Sequence, residues 1–205
     1  MSKSLNQIVI CDIESTCWEP IESKPVNEES EIIEIGICIL DLSKRNAALN
    51  NKKLAPYGAR LPLGELVSKR SIIVRPEYSR VSEFCTKLTT LTQADVDKGV
   101  SFKEACDVLR SEFKSQNRTW ASYGDYDRKQ FEKDCAKKNV KYPFGPRHIN
   151  IKNLFAHVQG LPKEVGMPTA IKLIHEQVEG THHRGDDDAW NIAKILRYIL
   201  AGYGT

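Results

Sequence analysis

The sequence predicts a single mixed α/β domain, and three observations lead there. Two runs, 7–11 and 31–40, are apolar and rich in β-branched residues on both parities, as strands covered on both faces are. From residue 101 onward, segments of helical period alternate with short strand-like runs. The chain has 205 residues, 40% hydrophobic and 28% charged, a length at which one domain buries about 70% of its unfolded surface. No internal repeat, low-complexity tract or interdomain linker interrupts it.

The elements follow in order. Gln7-Ile8-Val9-Ile10-Cys11 forms the first strand, ending in Asp12-Ile13-Glu14. After a loop rich in Pro and Glu comes the second, 31–40, and Ser71 to Val74 is a third candidate. Ser101 and Glu104 have the spacing of a capping box, so a helix opens there and runs to about Ser115. A short strand is expected from Thr119 to Tyr123, then a helix from Tyr126 to Lys138 with Asp125 as its cap. Arg147 to Asn150 reads as a strand, with Asn150 capping a segment to His157. Pro168 suits the first turn of a helix reaching His175. The last helix spans about 186–200, capped by Asp186 or Asp187, with Ile192, Ile195, Leu196 and Ile199 as its apolar stripe. Trp120 and Trp190 are assigned to packing.

Composition narrows the function classes. No stretch approaches eighteen apolar residues and the first seven lack a signal-type apolar core, so neither a membrane span nor export is expected. The six cysteines include no Cys-x-x-Cys pair and several lie in apolar runs, which speaks against a zinc ribbon or a disulfide framework and for a reducing, cytoplasmic interior. Net charge is only +3, but its distribution is uneven. Between residues 43 and 75 stand Lys44, Arg45, Lys52, Lys53, Arg60, Lys69, Arg70 and Arg75 against the single acid Glu65. Most of these fall in an insertion at about 41–70, longer than a hairpin needs; it either grips a phosphate backbone or is a solvated excursion.

Three acid clusters carry the chemistry. With a side-chain period of two, Asp12 and Glu14 project from the same face of the first strand. An isolated Asp-x-Glu usually marks a strand meeting solvent, but here a buried run precedes it, placing the pair at the carboxyl edge of a central strand, where α/β sheets put their ligands. Asp127 lies four residues before Phe131 and eight before Cys135, so it shares the helix face turned to the sheet, with a dipole-stabilised first-turn acid as its alternative role. Asp188 precedes Ile192, Ile195 and Ile199 at helical spacing and points inward with them. Four inward acids repel one another and resist burial unless cations neutralise them. Oxygen-only ligands suit Mg²⁺ or Mn²⁺, and two such ions form the clamp that cleaves phosphodiesters.

With these residues on the page, the sequence resembles the DEDDh-type 3′–5′ exonucleases of the DnaQ-like, ribonuclease H-like superfamily. The motifs stand as Asp12-Ile13-Glu14, Tyr126-Asp127 and His183-Arg184-Gly185-Asp186-Asp187-Asp188. Flanking segments resemble the branch of the 3′ histone-mRNA and enhanced-RNAi exonucleases: Glu31-Ile32-Ile33-Glu34-Ile35-Gly36, Leu88-Thr89-Thr90-Leu91-Thr92-Gln93 and Asp187-Asp188-Ala189-Trp190-Asn191-Ile192-Ala193. The resemblance covers about 7–200, implies a ribonuclease H-like mixed sheet flanked by helices, and makes residues 1–205 one exonuclease domain. It implies that Asp12, Glu14, Asp127 and Asp188 bind two Mg²⁺ or Mn²⁺ ions and that His183 is the general base. His182-x4-Asp187 offers a second register of the same spacing; His183 with Asp188 is preferred because only Asp188 continues the apolar stripe. Ser15, Thr16, Leu88 and Leu91 are implied to surround the terminal nucleotide. Trp18 either stacks on a base or packs against the loop at 19–30. The implied reaction releases nucleoside 5′-monophosphates from single-stranded or 3′-overhang nucleic acid, with RNA favoured. A proofreading or repair DNA exonuclease and a catalytically silent nucleic-acid-binding scaffold are the alternatives. Only six residues precede the first strand, so the extra RNA-binding domain of some relatives is not expected here.

Overall fold

The computed structural model describes residues 6–19, 23–43 and 63–202. Five strands form one sheet in the order β3-β2-β1-β4-β5: β1 (Gln7–Ser15), β2 (Ile32–Asp41), β3 (Glu65–Ile73), β4 (Thr119–Ser122) and β5 (His148–Asn150). β1 pairs antiparallel with β2, and β2 with β3, while β4 joins β1 in parallel and β5 joins β4 in parallel. The helices are α1 (Glu83–Thr89), α2 (Gln93–Val96), α3 (Phe102–Ser111), α4 (Tyr126–Lys138), α5 (Ile151–Val158), α6 (Met167–Leu173) and α7 (Gly185–Gly202).

Strand parity divides the core. Val9, Cys11 and Ile13 face a cluster with Phe102, Leu109 and Phe131, so α3 and α4 cover that side. Ile8 and Ile10 face Phe155, Ile171, Ile192, Ile195 and Ile199, so α5, α6 and α7 cover the other. Asp12 and Glu14 have the parity of Ile8 and Ile10 and therefore look toward α7. Burial of both faces explains why β1 and β2 read as continuous apolar runs.

Several boundaries differ from expectation. β3 begins at Glu65, inside the basic segment; as an edge strand it is largely exposed from Glu65 to Arg70, and the adjacent Lys69 and Arg70 point to opposite faces. Of the basic residues, Lys69 pairs with Asp187 and Arg70 with Glu112. Lys44, Arg45, Lys52, Lys53 and Arg60 lie outside the described residues. Helices α1 and α2 were not foreseen; each is one or two turns long and is set by a cap, Ser82 accepting from Cys85 N and Thr92 from Asp95 N. The Ser101–Glu104 capping box forms as expected. Asp125 occupies the cap position of α4 but makes no capping bond; its carboxylate sits 3.4 Å from Arg128 Nη2. α6 stops at Leu173, with His175 in the left-handed region. Neither Asp186 nor Asp187 caps α7, which begins one residue earlier, and Asp187 instead accepts from Thr181 N at 2.7 Å. Trp120 is fully buried, with ring centroids 4.2 Å from Phe144 and 4.1 Å from His148.

One contact seats α7 on the sheet. Gly36, the register partner of Asp12, lies so close to the start of α7 that a Cβ there would fall 1.8 Å from Gly185 C. A Cβ on Gly185 would in turn meet Gly36 N at 2.9 Å. Both atoms are backbone, so neither can swing aside. Gly36→Ala should lift the helix from the sheet and cost about 3 kcal/mol or more of stability, read as a lowered urea midpoint; an unchanged midpoint would refute the contact.

Candidate active site

The carboxyl ends of β1 and β4 meet the first turns of α4 and α7, and four carboxylates converge there. Asp12 and Glu14 come from β1, Asp127 from α4 and Asp188 from α7. Glu14, Asp127 and Asp188 are only 4–8% exposed, which sets them apart from ordinary surface acids. Oxygens of Asp12, Glu14 and Asp188 lie within 4.8 Å of one another. Asp127 is fixed by the chain it faces, accepting from Ile13 N at 3.0 Å.

Crowding and burial act together on these acids. The Asp12 carboxyl is pushed well above its ordinary range, first by burial and then by Asp127, Glu14 and Asp188. Burial, followed by Asp188 and Glu34, raises Glu14 to about 9. Burial also raises Asp127, to about 6, against hydrogen bonds from the Ile13 amide and the Ser122 hydroxyl. Asp188 is raised by burial and partly held down by His182 and the His183 amide. This is the donor set of a hard divalent cation: oxygen ligands only, in a place where added positive charge is favourable. Asp12, Glu14 and Asp188 therefore fit such an ion, and Asp127 lines the same cavity beside them.

The histidines close the rim. His183 N donates to Asp188 Oδ2 at 2.9 Å, and His183 Nδ1 stands 4.0 Å from Glu14 Oε1. Burial and the neighbouring His182 lower the His183 pKa below the ordinary imidazole value, so the ring stays neutral at neutral pH. His182 Nδ1 lies 2.9 and 3.1 Å from the Asp188 oxygens. Asp187 faces away from the cluster toward Lys69, so of the two possible His-x4-Asp spacings only the one ending in Asp188 reaches it. A cavity of about 350 Å³ opens over the acids, walled also by Tyr123, Tyr126, Met167 and Pro168.

The other anticipated residues are not among those lining this cavity. Ser15 Oγ is buried without a hydrogen-bond partner. Thr16 is fully buried; its hydroxyl accepts from Glu31 N and meets Ser79 Oγ at 2.9 Å. Leu91 packs with Ile33, Cys85 and Val96, while Leu88 is half-buried on α1. Trp18 is half-buried with Lys24 Nζ 6.0 Å over its ring, in keeping with packing against its loop.

Two supports escaped sequence reasoning. Glu34, fully buried and the register partner of Glu14, accepts from Arg184 Nε and Nη2 at 3.2 and 3.0 Å and from Gly185 N at 3.0 Å. A charged residue inside an apolar strand was the available signal. On α7, Asn191 bonds Glu179 N and O, and Lys194 reaches Gln177 O at 2.9 Å, so the segment leading to His182 is braced from the helix.

Residues 9–196 match the family model RNase_T, described as Exonuclease. Rat 3′-5′ exoribonuclease 1 is 29% identical over 203 residues, covering 94% of this chain and 52% of the relative. The 3′-5′ exonuclease eri1 of Schizosaccharomyces pombe is 26% identical, covering 96% and 69%. Among solved structures, the nuclease domain of 3′hExo, a DEDDh family member bound to rAMP, superposes with a TM-score of 0.78 at 25% identity, covering 96% of this chain and 92% of that one. The ribonuclease H-like mixed sheet expected from the resemblance is thus the fold observed. The chain spans about half the length of the exoribonuclease 1 relatives it matches.

The raised acids have a consequence for stability. Glu14 and Asp127 keep protons in the metal-free fold that the unfolded chain releases, so their penalty is absent in strong acid and grows as pH rises from about 4 toward 9. In EDTA, Glu14→Gln should raise Tm above wild type at pH 8 and much less at pH 5, and Mg²⁺ or Mn²⁺ should stabilise wild type more at pH 8. Equal Tm differences at the two pH values would contradict the clustered-acid account.

Proposed function

Because the chain belongs to the exonuclease family, we propose that it is a divalent-metal-dependent 3′–5′ exonuclease acting on single-stranded or 3′-overhang RNA. The observation that carries this reading is the clustering of Asp12 and Glu14 from β1 with Asp188 from α7, in a cavity that Asp127 of α4 and the neutral His183 also line. RNA is favoured over DNA because several relatives are named exoribonucleases and one related structure holds rAMP.

Asp12, Glu14, Asp127 and Asp188 hold two Mg²⁺ or Mn²⁺ ions, which when bound supply positive charge to the phosphodiester oxygens. His183 takes a proton from the attacking water; the water oxygen bonds to phosphorus, the bond to the preceding O3′ breaks, and a nucleoside 5′-monophosphate leaves. Ser15, Thr16, Leu88 and Leu91 border the terminal nucleotide, and Trp18 either stacks on a base or supports its loop. The residues from 1 to 205 act as one exonuclease domain. No helix among the described residues is long and apolar enough to cross a membrane, and six free cysteines are in keeping with the reducing cytoplasm.

The test uses 5′-labelled RNA and matching DNA with 3′ overhangs in Mg²⁺, Mn²⁺ or EDTA. Stepwise shortening from the 3′ end is expected, faster on RNA, and absent in EDTA or with Asp12→Ala. Binding without shortening of either strand would overturn the reading. His183→Ala should cut single-turnover rates by about 10²–10⁴-fold. At saturating metal, the wild-type rate should fall as pH drops through the His183 pKa, which lies below the ordinary imidazole value of about 6.5; a profile that stays flat to the acid limit of folding would remove His183 from the role of base.

A further inference from the structure

His182 has no part in the chemistry above, yet it occupies a defined place. Its ring stacks on that of His183, centroids 3.9 Å apart and 22° from parallel, while its Nδ1 approaches both oxygens of Asp188. One ligand atom from each of His182, His183 and Asp188 lies within 4.8 Å of the others. Asp12, Glu14 and Asp188 form a second trio with the same spacing. Asp188 belongs to both, but the donors differ: two imidazole nitrogens and one carboxylate oxygen in the first, oxygens alone in the second.

We infer that His182, His183 and Asp188 form a site for a borderline-soft transition metal such as Zn²⁺, and that filling it withdraws His183 and Asp188 from catalysis. Imidazole nitrogens favour zinc, cobalt and nickel, whereas carboxylates suit magnesium and manganese. Three protein ligands with a further open position is a common zinc arrangement. Zn–N bonds of about 2.0–2.1 Å at tetrahedral angles bring ligand atoms to about 3.4 Å apart. Closing from the present 4.8 Å limit to that spacing requires the two imidazoles, each about 40% exposed, to rotate.

The backbone beneath is already held. The His183 amide is bound by Asp188, Thr181 N by Asp187, and residues 177–179 by Asn191 and Lys194. Metal capture therefore needs little ordering of the loop. The inhibitory consequence rests on the function proposed above; metal capture itself does not.

The experiment titrates the metal-free full chain with Zn²⁺ by calorimetry and with Co²⁺ by its visible absorption, in excess Mg²⁺. It compares wild type, His182→Gln and Asp12→Asn, with circular dichroism reporting folding. Wild type should bind one ion with a tetrahedral-type cobalt band. Losing a direct ligand in His182→Gln should weaken binding at least as much as the about 10–100-fold typical of outer-shell changes, while Asp12→Asn should retain the site. Zn²⁺ should also halt Mg²⁺-dependent RNA shortening, with a half-inhibitory concentration rising by a similar factor in His182→Gln relative to that variant's own uninhibited rate. Equal Zn²⁺ affinity in wild type and His182→Gln, or loss of binding in Asp12→Asn, would overturn the inference by placing zinc among the carboxylates. If RNA is not shortened but the cobalt band still depends on His182, the site stands and the exonuclease reading alone fails.

Discussion

Seating the first turn of α7 directly on β2 is the constraint on which the rest of the site depends. Gly36 and Gly185 touch backbone to backbone because neither carries a Cβ, and the register of β1 with β2 places Asp12 beside that contact. Three residues past Gly185, Asp188 is thereby delivered to Asp12 and Glu14. Glu34 secures the arrangement from below, taking the guanidinium of Arg184 and the amide of Gly185 on one carboxylate. A two-point grip of this kind restricts both translation and rotation of the helix start, which a lone apolar contact would not.

Among the described residues, buried acids are accommodated in different ways, Asp134 by the Ile32 amide and the Gln130 side chain. Glu31 and Glu34 lie fully inside, but each meets a cation: Lys138 at 2.5 Å for Glu31 and Arg184 for Glu34. Glu31 also accepts the amides of Glu77, Tyr78 and Ser79, tying the chain after β3 to the start of β2. Asp12, Glu14, Asp127 and Asp188 meet no such cation: burial raises the pKa of all four, and neighbouring acids raise Asp12 and Glu14 further. The fold can carry such a cluster because β1 and β2 are locked between two apolar layers. Mutual repulsion is confined to the strand ends, where a cation can enter from the cavity.

Much of this could be read without coordinates, for reasons of period. Alternation along β1 put Asp12 and Glu14 on one face, and helical spacing tied Asp127 to Phe131 and Asp188 to Ile192, Ile195 and Ile199. Those relations are local, so residue spacing alone conveys them. Edge strand β3 was read too short because its exposed Lys69 and Arg70 lack an apolar pattern, and α1 and α2 are too brief to show a period. Asp125 looked like a cap by residue type, yet its carboxylate turns toward Arg128.

By itself, then, the sequence determined the two-sided strands, the inward acids, the helix carrying Asp188 and the motifs of the exonuclease family. Only tertiary structure decided which acids share one cluster, that Asp187 pairs with Lys69, and that His182 stacks on His183 against Asp188. It also decided the pairing of Glu34 with Arg184 across 150 residues of chain. Contacts of that separation leave no periodic trace, because they arise from how β2 and α7 pack rather than from the repeat of either element.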